Sequence, residues 1–340
     1  MPSAGVLRRV RVVQHPDGDI DERELARALA GGWGLTAAAL RYAPVGFGDH
    51  HWELTDTSGG RWFVTVAALA GGWRGAGPAE GLADLRAALR TVTELHRAGL
   101  EFAVAPVPTQ AGQPLAPLGP GHAVTVYPWL DGAAGDFGEQ LPASEQLTLV
   151  TMLASLHNAT SLAGAAAPVR RPGLAGRDGL VAALDDLGQP WLGGPYGEPA
   201  RRLLAQHAAG LSRTLARFDE LTGQALRTGP LVLTHGEPHP GNVFRSRSGA
   251  LHLIDWDTAG LALPERDLWD VAAPGSAEAA HYTGLTGHPV SPVAAEAYRI
   301  RWALDDIRLA VRDFHGPHER TPDTELTWTT LGEELARIAG

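Results

Sequence analysis

The sequence predicts an α+β chain of two lobes, a small β-rich N-terminal part followed by a larger helical one. Three observations carry that expectation. The hydrophobic period is close to two between residues 40 and 67 and close to 3.6 over most of the C-terminal half. A Pro-, Gly- and Gln-rich stretch over residues 105–121 and a short β-branched and aromatic segment, HAVTVYPWLDG, separate the two regimes. A polar loop, LTHGEPHPGNVF (Leu233–Phe244), and a second short segment, LHLIDWD, interrupt the helices. Strands grouped before helices argue for segregated layers with a cleft between them.

The elements run in order along the chain. Asp21 to Trp33 reads as a helix, with Asp21 and Glu24 spaced as a capping box and Leu25 and Leu29 on one face. Leu40 to Val45 is a strand, GFGDH is a glycine-bearing turn, and His51–Thr55 with Trp62–Ala67 form a hairpin about TSGG. Ala79 to Ala98 returns to helical spacing through Leu82, Leu85, Leu89, Val92 and Leu95, and Gly99 stops it. The first lobe spans residues 1–130 and ends in a connecting strand, 124–130; residues 131–340 form the helical lobe. Within that lobe, helices are expected over Pro142–Leu162, Leu174–Leu187, Glu198–Leu221, Pro292–Phe314 and Thr324–Ile338.

Composition limits the chemistry. The 340 residues contain no cysteine, so disulfides and thiolate catalysis are excluded. All 28 Lys-plus-Arg residues are arginine. Without lysine there is no Schiff-base enzyme and no intact Walker A loop. No G-x-G-x-x-G follows a strand, so the dinucleotide fingerprint is missing. The net charge of −10 argues against nucleic-acid partners and suits neutral or cationic ligands. No apolar run approaches the roughly 18 residues of a membrane span, and the N-terminal residues lack the apolar stretch of a signal peptide. The expected compartment is the cytoplasm; the oligomeric state is left open.

Glu237, Asn242 and Asp255 form the chemical constellation. A carboxylate can orient or deprotonate an attacking hydroxyl, while an amide oxygen and a second carboxylate suit Mg²⁺ against substrate phosphates. Phosphoryl transfer needs that division of labour. A competing reading takes His235, Glu237 and His239 as H-x-E-x-H, a zinc- or cupin-type site completed by His252. Asp267 reads as structural, through a cap or a pair with Arg266.

HGEPHPGNV, LIDWD, PERDLWDVA and ASLHNAT together resemble the aminoglycoside phosphotransferase family, and RWFVTV and AGLEFAVAPVPT are closest in tone to spectinomycin-type actinobacterial enzymes. The resemblance covers about residues 35–315. It implies a bilobal protein-kinase-like fold and an ATP- and Mg²⁺-dependent transfer of the γ-phosphoryl group to a hydroxyl of a small polar acceptor. That acceptor would be aminoglycoside- or aminocyclitol-like or another hydroxylated metabolite, with antibiotic resistance as the associated trait. By the same resemblance Glu237 stands at the catalytic carboxylate, Asn242 and Asp255 at the metal positions, and His235 at the brace of the loop. Gly46 and Gly48 stand over the phosphates, Thr65 at the phosphate-binding strand position, and Tyr127 and Trp129 at the adenine-facing hinge. Asp257 and Glu265 are candidates for the acceptor side, Asp257 equally for a second metal contact or a helix cap.

The sequence departs from the family pattern in three places. Glu237 replaces an aspartate, which hardly changes basicity (about 4.3 against 3.9) but extends the reach by roughly an ångström. Thr65 occupies the lysine position. Small residues, Ala87 and Ala88, occupy the turn that would carry the partner of that lysine. Arg61 or Arg74 could approach the phosphates instead. These departures motivate a second reading, a catalytically impaired kinase fold acting as a binding protein. A third keeps the chemistry and places the acceptor hydroxyl on a peptide Ser or Thr.

Overall fold

The computed structural model describes residues 20–46, 48–70, 77–162, 167–227 and 229–339. The first lobe opens with α1 (Glu22–Trp33), started by Asp21, whose carboxylate accepts the Arg23 N–H at 2.9 Å, and stopped by Gly34 in the left-handed region. The cap is therefore a single Asp21 bond to the second helical residue, not the reciprocal box expected with Glu24.

Strands β1 (Ala37–Ala43), β2 (His50–Asp56), β3 (Arg61–Ala68), β4 (Ala116–Leu118) and β5 (His122–Pro128) form one antiparallel sheet in the order β1-β2-β3-β5-β4. The turn between β2 and β3 is fastened by Asp56, which accepts from Ser58, Gly60 and Trp62. Those donors hold its carboxyl down at about 2. β4 falls inside the stretch read from sequence as loop; three residues carry too little periodicity to be seen.

Alternation sorts the sheet's two faces. Trp52, Leu54, Val64, Val66, Val124 and Val126 pack with Leu25 and Leu29 of α1 in one core. His51, Thr65 and Thr125 share the other face, in register across β2, β3 and β5. The long helix α2 (Pro78–Arg97) packs Leu85, Leu89, Val92 and Leu95 into a second core that includes residues of the helical lobe. α2 is also clasped to that lobe by charge. The Asp84 carboxylate accepts from Arg170 at 2.7 and 2.8 Å, and the same guanidinium donates to the Ala259 carbonyl.

Between Pro128 and Gly132 the chain leaves the large sheet for β6 (Gly132–Ala134). This strand pairs with β8 (Val243–Ser246), which in turn pairs with β9 (Leu251–Leu253). A separate two-stranded ladder joins β7 (Val232–Thr234) to β10 (Gly260–Ala262). The helices are α3 (Ala143–Asn158), α4 (Arg177–Asp185), α5 (Gly197–Ala225), α6 (Glu265–Leu268), α7 (Ala277–Thr286), α8 (Pro292–His315) and α9 (Pro322–Ala339). The architecture is thus the predicted α+β one, an antiparallel sheet in the small lobe and a helical second lobe. α7, with its run of Ala and Thr, has little amphipathic pattern, which is why no helix was expected there. Among the described residues no helix is long and apolar enough to cross a membrane.

Candidate functional site

The loop between β7 and β8 is built on a buried carboxylate. Asp267, in α6, accepts the backbone N–H of His235 at 2.8 Å and of Gly236 at 2.6 Å. Its Oδ2 also lies 3.1 Å from His157 Nε2, and His157 Nδ1 is 2.8 Å from the Tyr282 hydroxyl. Burial alone would raise the Asp267 pKa, but His157 and Arg266 hold the carboxyl below its ordinary value. Asp267 is structural as the sequence suggests, but its work is bracing the loop. Arg266 instead donates to Thr234 Oγ1 and the Thr258 carbonyl, at 2.9 and 3.0 Å.

His235 completes the brace. Its Nε2–H donates to the Ile254 carbonyl at 2.8 Å, and its Nδ1 accepts the Glu237 N–H at 3.2 Å. Burial first, and Arg266 further, press its pKa down, so the ring is neutral and both nitrogens are engaged. The zinc reading of H-x-E-x-H therefore fails at its first ligand. Among the described residues no group of three His, Cys, Asp or Glu could hold a metal.

Gly236 has φ 109°, and a Cβ there would fall on the Arg266 guanidinium. Both demands exclude a side chain. We expect Gly236→Ala to lower stability by about 2–4 kcal/mol, as left-handed strain and overpacking combine. A urea midpoint equal to that of the wild type would contradict this.

Glu237 comes next in the loop, with 38% of its side-chain surface exposed in the cleft. Its carboxyl is raised to about 7, first by burial of the site and then by Asp257, against the opposing pull of Arg266 and Arg301. Next to it, Pro240–Asn242 form a 3₁₀ turn. The Asn242 amide nitrogen donates to the Glu237 carbonyl at 2.9 Å, which leaves the amide oxygen as the group that could face a cation. The Asn242 carbonyl accepts the Ile254 N–H at 3.1 Å and so ties this turn to the segment bearing Asp255. Asp255 is the one non-glycine residue with positive φ among those described, at 64°. It is exposed. One amide oxygen and one carboxylate, both hard donors, would suit a Mg²⁺ ion that took its remaining ligands from phosphates and water.

Asp257 is half-buried, and its charge bears on both Glu237 and His51, which puts it between the two lobes' polar groups. Glu265 is elsewhere. It is 3% exposed, its Oε1 accepts the Ser291 N–H at 2.7 Å at the start of α8, and burial raises its pKa. It caps the approach to a helix and is not among the residues lining the cavity next to Glu237.

In the first lobe, Gly46 and Gly48 have φ 71° and 94°; Phe47 between them lies outside the described residues. Thr65 sits mid-strand and hydrogen-bonds to His51, Nδ1 to Oγ1 3.1 Å. Tyr127 pairs with Phe63 across β3 and β5, and Trp129 follows β5. Arg61 is not aimed at phosphates: its guanidinium stacks on Trp129 at 3.7 Å, at the far end of β3. Arg74 lies outside the described residues.

The sequence did not disclose a cavity of about 660 Å³ with Glu237, Pro238 and His239 on its rim. Phe137 and Trp302 form a stacked wall, centroids 6.0 Å apart at 16°. His239 meets Phe137 edge-on at 4.8 Å, and Trp269 extends the wall. Asp270 and Glu278 supply acidic groups on the lining. The Trp269 and Asp270 of PERDLWDVA were within reach of a sequence signal; Phe137 and Trp302 come from distant segments.

The profile of the phosphotransferase enzyme family matches residues 39–321. No curated protein matches the chain. Solved structures do. Spectinomycin phosphotransferase APH(9)-Ia in complex with ADP and spectinomycin is similar at a TM-score of 0.70 and 16% identity, covering 94% of this chain and 98% of that one. Amicoumacin kinase hAmiN with AMP-PNP and Ca²⁺ gives 0.58 and 14%, covering 94% and 93%. Choline kinase LicA from Streptococcus pneumoniae gives 0.54 and 15%, covering 93% and 99%. At these identities the likeness is one of fold.

Proposed function

Because the chain belongs to the phosphotransferase enzyme family, we propose that it moves the γ-phosphoryl group of ATP to a hydroxyl of a small acceptor seated in the cavity beside Glu237. The observation that carries this is the joining of three groups by one backbone network. Glu237, Asn242 and Asp255 are linked through the Asn242 side chain to the Glu237 carbonyl and through the Ile254 N–H to the Asn242 carbonyl. In this reading Glu237 orients the acceptor hydroxyl and accepts its proton, and Asn242 and Asp255 hold Mg²⁺. When bound, that ion supplies neutralising charge to the phosphates. The left-handed glycines 46 and 48 let backbone amides approach the phosphates, and the strand ending in Tyr127 and Trp129 faces adenine.

The cavity favours a small molecule over a peptide, since about 660 Å³ is within the usual range for a ligand pocket, roughly 300–1,000 Å³. Its aromatic wall and its acids suit an acceptor with an apolar face and a cationic group. Aminocyclitol, aminoglycoside or other hydroxylated amines meet that description, and drug resistance would result if such an antibiotic is the acceptor.

Calorimetric titration of the protein with ATP, with and without Mg²⁺, tests the reading when repeated on Asp255→Ala. We expect Mg²⁺-dependent binding in the wild type, lost in the variant, and ATP consumption when hydroxylated amines are supplied. A folded wild type that ignores millimolar ATP would favour the binding-protein reading, which Thr65 at the lysine position motivates.

A further inference from the structure

A cleft that holds ATP needs a hydrogen-bond donor or cation facing the phosphates from the strand side, and this chain has no lysine anywhere. Among the described residues of the inner sheet face, His51 carries the donor that reaches toward the glycine turn. His51 shares the inner sheet face with Thr65 and is directly cross-strand from it. Its ring stacks on Phe63 with centroids 5.1 Å apart, which fixes its plane. Its Nε2 points to the glycine turn: a Cβ added to Gly46 would stand 3.2 Å from that atom. From the opposite lobe, Asp257 is near enough for its charge to act on the ring.

We propose that His51 binds the phosphates of ATP through Nε2–H, with the Thr65 hydroxyl donating to Nδ1 to fix that tautomer. This rests on the cleft between the lobes being a nucleotide site. Thr65 then has a role that its own chemistry alone does not suggest: it orients the donor that replaces the cation. The electrostatics agree. Burial, and His50 beside it, press His51 down to about 4 against the pull of Asp257, so the ring is neutral at pH 7 and has one N–H to give. Bound phosphates push the other way and strengthen the bond. The aromatic shelf of Phe63 and the strand hydrogen bonds hold the donor in place before the nucleotide arrives.

The test compares ATP with adenosine. For His51→Leu we expect the Kd of Mg·ATP to rise about tenfold, the loss of one hydrogen bond to a charged group, with the Kd of adenosine unchanged. Thr65→Val keeps the strand's shape and should weaken ATP in the same direction. In the wild type, the His51 ring nitrogen resonances should move on adding ATP and stay put on adding adenosine. An unchanged ATP affinity in both variants, equal weakening of ATP and adenosine, or still ring resonances with ATP bound would overturn the proposal. Failure of the wild type to bind ATP at all is a different result, and it would remove the nucleotide reading itself.

Discussion

Glu237→Gln is expected to lower kcat by about 10²- to 10⁴-fold, the usual contribution of a positioned general base, while in the proposed reading ATP affinity stays within about twofold because Glu237 lines the cavity and would hold neither the ion nor the nucleotide. Glutamine keeps the length and the hydrogen-bond reach but gives up the proton acceptor. Glu237→Asp is the informative companion. It keeps the acid and withdraws it by roughly an ångström, which we expect to cost about a hundredfold in this loop. The loop is organised around the longer side chain: its backbone is fixed at both ends, by Asp267 below His235 and Gly236 and by Asn242 on the Glu237 carbonyl. An aspartate therefore has no backbone freedom with which to recover its reach.

The pH profile has a definite sign. Burial and Asp257 raise the Glu237 carboxyl to about 7. Below that value the group is protonated and cannot take the hydroxyl proton, so kcat should rise with pH through about 7 and level off above it. Asp257→Asn removes one of the charges that raise it and should move the inflection to lower pH. A rate flat between pH 5.5 and 8.5 would leave Glu237 without a proton to take.

Asp267→Ala should be the most destabilising single change in the site, by about 3–5 kcal/mol. It strips the acceptor from two backbone N–H groups, those of His235 and Gly236, and from His157, all in the interior. Buried donors left unpaired lose their full desolvation cost. Asp267→Asn keeps one acceptor oxygen and should cost less. Urea unfolding followed by circular dichroism measures both; an Ala variant within about 1 kcal/mol of wild type would mean that the loop is held otherwise. Linkage gives the acid side. The Asp267 pKa is depressed in the fold. Its contribution is therefore present above the ordinary aspartate range and is lost as pH falls through the depressed value.

The sequence was most legible where local chemistry and structure coincide. Asp21 announced α1, and TSGG announced the β2–β3 hairpin. The polar loop revealed Glu237, Asn242 and the brace at His235 because those residue types are dense there and the spacing carries a resemblance. The features that escaped are assembled from afar. The cavity draws on Phe137, Glu237, Trp269 and Trp302, no two of them close enough in sequence to form a pattern. Glu265 was placed on the acceptor side because it neighbours the right residues along the chain; in space it turns to Ser291. His51 read as one alternating position in a strand, and only the pairing with Thr65 and the approach to Gly46 give it meaning. Asp255 was read as a metal position from its place in LIDWD; its left-handed backbone, invisible in sequence, is what sets it apart in the structure.

The clasp of Asp84 by Arg170 carries a mechanical consequence. One guanidinium grips a helix of the small lobe with some of its hydrogens and the Ala259 carbonyl with others, two residues past Asp257. The clasp therefore ties the position of α2 to that of the segment just after Asp255 and Asp257, beside the apolar core that α2 already shares with the second lobe.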